Sequence, residues 1–102
     1  MTLLPKEIEK TLPPLYATEK IATGEKIIKI KFFTPDSSWS WYIVEWDKEE
    51  KIFFGYVNGH YGEWGYFSLK ELEEVRGPLG LKIERDLHFE PTKFKDIQEL
   101  KN

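Results

Sequence analysis

The sequence predicts an α+β fold: a single domain whose antiparallel sheet of three to five strands carries two or three short helices. Three observations lead there. Apolar residues alternate with period two between Lys26 and Phe67, a helix-start signature occupies Ser68 to Glu71, and 102 residues suit one domain. The domain is expected to span residues 1–102, fraying over about 92–102.

The elements follow in chain order. In TLLPKEIEKTLPPLY, Pro5 suits a helix start, Leu4, Ile8 and Leu12 share a face, and Pro13-Pro14 ends the segment. About two turns of helix are marginal alone, so this stripe should dock on something larger. In KIIKIKFF, Ile28, Ile30 and Phe32 fall on one side of a strand. TPDSS supplies turn chemistry, and WSWYIVEW then puts Trp39, Trp41 and Ile43 on one face against Tyr42, Val44 and Trp46 on the other. DKEE is a connection of hairpin length before KIFFGYV, and Asn58-Gly59 signals a further turn into a shorter, glycine-broken strand, HYGEWGYF. Gly55, Gly62 and Gly65 mark bulges or close backbone approaches.

SLKELEEVRGP is the best-signalled helix. Ser68 and Glu71 form a capping box, Leu69, Leu72 and Val75 form the buried stripe, and Gly77-Pro78 stops the chain. Arg76 sits last, which complements the helix dipole. LGLKIERDLHFEP then alternates again, with Arg85 on the parity of Leu81, Ile83, Leu87 and Phe89. Phe94, Ile97 and Leu100 follow helical spacing near the C-terminus.

Composition narrows the function classes. Hydrophobic residues at 40%, charged residues at 32% and aromatics at 16% describe a folding chain and not a disordered one. With no cysteine, disulfides, thiolate nucleophiles and cysteine-held metal clusters are excluded. No apolar run approaches the roughly 18 residues of a membrane span, and Met1 to Lys10 lack a secretion signal, so a cytoplasmic protein with no membrane partner is expected. Abundant Lys, Glu and Ile, with thermolabile residues reduced to Gln98, Asn58, Asn102 and Met1, fit a thermophilic source. The net charge of -3 gives no overall attraction to nucleic acid.

FFTP, SWYIVEW and GYFSLKELEEVRGPLGLKIERDLHFEP resemble a family of short bacterial and archaeal proteins classed only as a domain of unknown function. The resemblance runs from about Leu4 to Pro91 and rests on the Phe-Thr-Pro turn, the tryptophan strand, the Ser-Leu-x-Glu-Leu helix start and the Arg-Gly-Pro-Leu-Gly-Leu-x-Ile-Glu-Arg-Asp segment. The chain departs from that pattern mainly between Asp47 and Trp64. The resemblance implies an accessory role in plasmid or mobile-element settings, and it supplies no catalytic residues.

The candidate chemistry is sparse. Glu84 and Asp86 flanking Arg85 could form a hydrolase-like acid–base pair poised by a guanidinium, but alternate acids on a solvated strand face are ordinary. If Arg85 instead points inward, its donors need an acid or helix-end carbonyls, and Glu45, on the parity of Trp39, Trp41 and Ile43, is the expected partner. His60 with Glu63, and His88 with Glu90, offer ligand types for a metal without a third histidine or a recognised spacing. Ser68 is a cap, no serine sits in a nucleophile elbow, and the glycines match no phosphate loop, so no cofactor is implied.

Binding is the stronger theme. The aromatic residues crowding four strands are expected to be buried by cover on both sheet faces, helped by a dimer interface; the alternative is an exposed patch for a protein or peptide, or one where Lys29 and Lys31 contact phosphates while Tyr42 or Trp46 stacks on nucleic-acid bases. Tyr61 and Trp64 extend that patch. The favoured reading is a non-catalytic accessory or interaction module with a protein partner or self-association; nucleic-acid binding is the alternative and an enzyme the third.

Overall fold

The computed structural model describes residues 2–101. Met1 and Asn102, the ends of the expected domain, lie outside the described residues. Among the described residues, seven strands form two antiparallel sheets within one α+β domain, a larger β content than the sequence predicts. Helix α1 (Lys6–Glu9) is followed by a 3-10 turn (Thr23–Glu25), β1 (Ile27–Ile28), β2 (Ile30–Phe33), β3 (Ser40–Asp47), β4 (Ile52–Asn58) and β5 (Gly62–Ser68). Helix α2 (Leu69–Glu74), β6 (Glu84–Arg85), β7 (Thr92–Lys93) and two more 3-10 turns (Phe94–Asp96 and Gln98–Leu100) complete it. The main sheet runs β5-β4-β3-β2-β6, so the expected meander is present, and β1 pairs with β7 apart from it.

Both faces of the sheet are covered. On the first face, Leu3, Leu12, Ile30, Phe32, Trp41, Ile43, Trp46, Phe53, Leu72 and Ile83 form one core, closed by Leu4, Ile8, Leu69 and Val75 from the helical segments. On the second, Ile28, Tyr42, Val44 and Ile97 form another, with Phe54, Tyr56, Trp64, Phe89, Phe94 and Leu100 around it. α1 is a single turn, shorter than its periodicity suggests, yet Leu4, Ile8 and Leu12 dock together as that spacing requires. α2 carries the full capping box: Glu71 N donates to Ser68 Oγ at 3.0 Å and Ser68 N to Glu71 Oε1 at 3.2 Å.

Three expectations are corrected. Ile28 does not share a face with Ile30 and Phe32: pairing breaks at Lys29, whose N–H donates to Ile43 O at 2.8 Å, and Ile28 joins the second core. LKIERDLHF is not one strand. Only Glu84–Arg85 pair with β2, and Asp86 then turns the chain by accepting from His88 N at 2.9 Å, leaving Leu87 exposed and carrying Phe89 to the second face. The C-terminal segment forms two 3-10 turns in place of an α-helix, and Phe94, Ile97 and Leu100 still pack on the second core, with Ile97 only 3% exposed.

The RGPLG loop is clamped from afar. Arg76 Nη1 donates to the carbonyls of Glu73 and Val75, both at 2.9 Å, closing the end of α2. Asp36, in the TPDSS turn, accepts from Leu79 N at 2.8 Å and Leu81 N at 3.4 Å. Its other oxygen is buried where a Cβ on Gly77 would have to go. Gly77→Ala should therefore cost about 1–3 kcal/mol in urea unfolding. Gly65→Ala, where a Cβ meets nothing within 4 Å, should not destabilise the protein at all.

An ionic clip joins the small sheet to the chain before it. Glu25 accepts from Lys95 at 2.6 Å and Lys93 at 2.9 Å, and these hydrogen bonds, Lys95 first, lower its carboxyl from 4.5 to about 2. A folded-state pKa below the unfolded one means the clip contributes fully above about pH 4.5 and fades as pH falls toward 2. The protection factor of the Phe94 amide, whose N–H bonds Lys26 O at 2.9 Å, measured against the intrinsic exchange rate at each pH, should fall over that interval more than the protection factors in β3. High salt should blunt the difference, because the pair is exposed.

Candidate functional site

A groove of about 940 Å³ lies between α1 and the β3–β4 hairpin. Local sequence builds it. Pro13-Pro14 cannot continue a helix, so the turns after α1 stop there and the chain crosses the end of β3, where Trp46 N donates to Pro13 O at 2.9 Å. Trp46 Nε1 donates to Glu9 Oε2 at 2.9 Å, fixing the indole under α1. Leu12, Pro14, Leu15, Tyr16 and Trp46 supply the apolar lining. Lys6, Lys10 and Lys48 on the rim are matched by Glu9, Asp47 and Glu49.

The wall at Tyr16 is held by a buried acid. Glu45, 2% exposed, accepts from Tyr16 N at 2.8 Å, Thr18 N at 2.9 Å and the Thr18 hydroxyl. Lys26 Nζ donates to Thr18 O at 2.5 Å, so Thr18 stands between a buried carboxylate and a buried ammonium. These bonds hold Tyr16 at φ 72, an unfavourable conformation for a residue with a side chain.

Glu45 therefore does not meet Arg85. A β-bulge between Ile43 and Glu45 sets Ile43 opposite Gly55 and Glu45 opposite Phe54, inserting Val44 as an extra residue. Beyond the bulge the parity reverses: Trp46 joins Trp41 and Ile43 in the first core, and Glu45 turns to the other face. Gly55 permits this, because a Cβ there would strike Tyr42 O. Arg85 does lie on the first face, opposite Phe32, and its Nη1 donates to the carbonyls of Thr2 and Leu3, the latter at 3.0 Å. The guanidinium thus ties the N-terminal segment to the sheet.

The other sequence candidates are scattered. Glu84 is exposed opposite Phe33, and Asp86 is occupied by its turn. His60 sits edge-on to Trp39 with ring centroids 5.4 Å apart, while Glu63, His88 and Glu90 are exposed elsewhere. Among the described residues no three such side chains gather as a metal site. Tyr42 is 0% and Trp46 5% exposed, so neither offers a face on which a base could stack. Lys31 is bonded to Glu99 at 2.5 Å, and Tyr42 OH donates to the same oxygen at 2.8 Å. Burial first, then Glu99, pushes the Tyr42 phenol up. Burial opposes the charge on Glu99, but the Lys31 and Tyr42 bonds prevail and hold its carboxyl below the usual range. Lys29 is half-buried, Tyr61 is 74% exposed at the β4–β5 tip, and Trp64 is part of an aromatic cluster with Phe54, Tyr56 and Phe94.

Sequence reasoning missed Leu15, Tyr16 and Glu9 as groove residues. The double proline was the available signal, since it ends the helix and sends Leu15 and Tyr16 onto a different path from α1.

The sequence model of one protein family matches residues 3–96. The chain belongs to the DUF2958 family, described as a protein of unknown function. No curated protein and no solved structure matches the chain. The DUF2958 match takes in the α1 segment, the whole main sheet and β7, and therefore every residue lining the groove. Among the described residues, no helix is long and apolar enough to cross a membrane.

Glu45→Ala tests how the groove wall is held. It leaves the Tyr16 and Thr18 amides without their acceptor, at about 1–3 kcal/mol for each buried donor. Hydrogen exchange should show those two amides losing protection well before the β3–β4 ladder does.

Proposed function

We propose that this DUF2958 protein is a non-catalytic interaction module that seats a peptide segment of a partner protein between α1 and the β3–β4 hairpin. The observation that carries the proposal is the groove's makeup: an apolar lining within a rim of three lysines and three acids. An apolar centre with a polar border is the anatomy of a protein-docking surface. The balanced rim favours a peptide of mixed charge over a polyanion, which would call for one sign. The accessory role in mobile-element biology implied by the resemblance belongs to this proposal.

The alternatives have less behind them. For nucleic acid, the residues that would have stacked are in the core and Lys31 is bonded to Glu99. For a hydrolase, Arg85 is turned to the N-terminal backbone while Glu84 is exposed on the sheet's edge strand.

A peptide-display library panned against the folded protein tests the reading. Selected peptides should bind the wild type at micromolar levels and lose about tenfold or more in affinity to Leu15→Glu, which puts a charge into the apolar lining. Tyr61→Ala, at the far tip of the sheet, should bind them as the wild type does. Binders indifferent to Leu15→Glu, or selection of none, would count against the groove.

A further inference from the structure

The two edges of the main sheet are not alike. The β6 edge is two residues long and ends at the Asp86 turn. The β5 edge runs seven residues, contains neither lysine nor proline, and carries Glu63 as its one charge. Such a strand lacks the usual protections against pairing.

Which β5 groups face outward follows from the bonds at either end of its ladder with β4. Leu69 N donates to Lys51 O at 3.0 Å, and Gly59 N to Tyr61 O at 3.3 Å. In an antiparallel pair, bonded and non-bonded positions alternate. Counting from either end along the register, Phe67↔Phe53, Gly65↔Gly55 and Glu63↔Val57 exchange bonds inward. Gly62, Trp64 and Tyr66 therefore turn their N–H and C=O groups away from β4, toward the open edge. No backbone bond to another segment takes these groups among the described residues.

We infer that this edge pairs with the β5 edge of a second copy of the chain, antiparallel about a two-fold axis through Trp64, joining two main sheets into one. Gly62-Glu63-Trp64-Gly65-Tyr66 is self-complementary in that register. Trp64 meets Trp64, and Gly62 meets Tyr66 in both directions, so three pairs each exchange two backbone bonds. Each Tyr66 ring lies across from a glycine, and Glu63 faces Gly65, a position with nothing within 4 Å of an added Cβ. The neighbouring registers are worse. A shift one way sets Glu63 against Glu63, and a shift the other way calls on Ser68, whose N–H is held by Glu71 in the capping box.

Gly65 gives a charge test that the monomer tolerates. Gly65→Glu would place a second acid directly opposite Glu63 at two symmetric points, whereas Gly65→Lys would place its counter-charge there. In sedimentation equilibrium the wild type should show a concentration-dependent dimer. Gly65→Glu should raise the dissociation constant about tenfold or more, and Gly65→Lys should leave it unchanged or lower it. Circular dichroism should confirm that both variants fold. In hydrogen exchange, the Trp64 and Tyr66 amides should gain protection as wild-type concentration rises, while Gly65 and Phe67 stay protected throughout. A wild type monomeric at every concentration would overturn the inference, as would equal weakening by both substitutions, no effect of Gly65→Glu, or a dimer with unprotected Trp64 and Tyr66 amides.

Discussion

Everything in this molecule is arranged around a strand that is apolar on both sides. From Trp41 to Trp46, six consecutive residues of β3 are buried, and the strand lies third of five in its sheet. A sheet with one wet face needs a cover on one side only, whereas β3 needs two. The N-terminal segment and α2 close the first face, and Phe89 with the C-terminal turns closes the second. The segments on either side of the meander are thus structural layers, and full burial of one large apolar side chain, at about 1.5–3 kcal/mol, shows the scale of what they secure.

The bulge in β3 is the second organising feature. By inserting Val44, it moves Trp46 into the first core and turns Glu45 toward the loop that contains Tyr16 and Thr18. A carboxylate buried with three donors is stable only while those donors stay in place, so the loop and the acid fix each other. The same irregularity coincides with the break at Lys29, where the chain passes from β1 in one layer to β2 in the other. One extra residue thereby sets which core Trp46 joins and places Glu45 at the groove wall.

The two proposed recognition features lie at the periphery of this buried centre. The groove forms where a proline-directed loop crosses the end of β3, and the open edge forms where the meander ends at β5. Neither requires the core to yield, since β3 and β4 hold the groove floor from within and supply the inward bonds of β5.

Much of this was legible from local signals. The capping box of α2, the stop at Gly77-Pro78, the meander from β2 to β5 and the inward parity of Arg85 each depend on residues a few positions apart, whose geometry is fixed by helix or strand period. What was not legible came from contacts between distant segments. Strict alternation put Glu45 beside Arg85, and the bulge, permitted by Gly55 on another strand, reversed it. Helical spacing of Phe94, Ile97 and Leu100 correctly marked a buried stripe, but packing against Tyr42, Tyr56 and Trp64 drew it into 3-10 turns. The sequence by itself determined the α+β class, the capped helix and which side chains are apolar enough to be buried. The tertiary structure alone decided which face each one buries and what Arg85 and Glu45 hold, because strand parity survives only until a bulge, and bulges depend on the neighbouring strand.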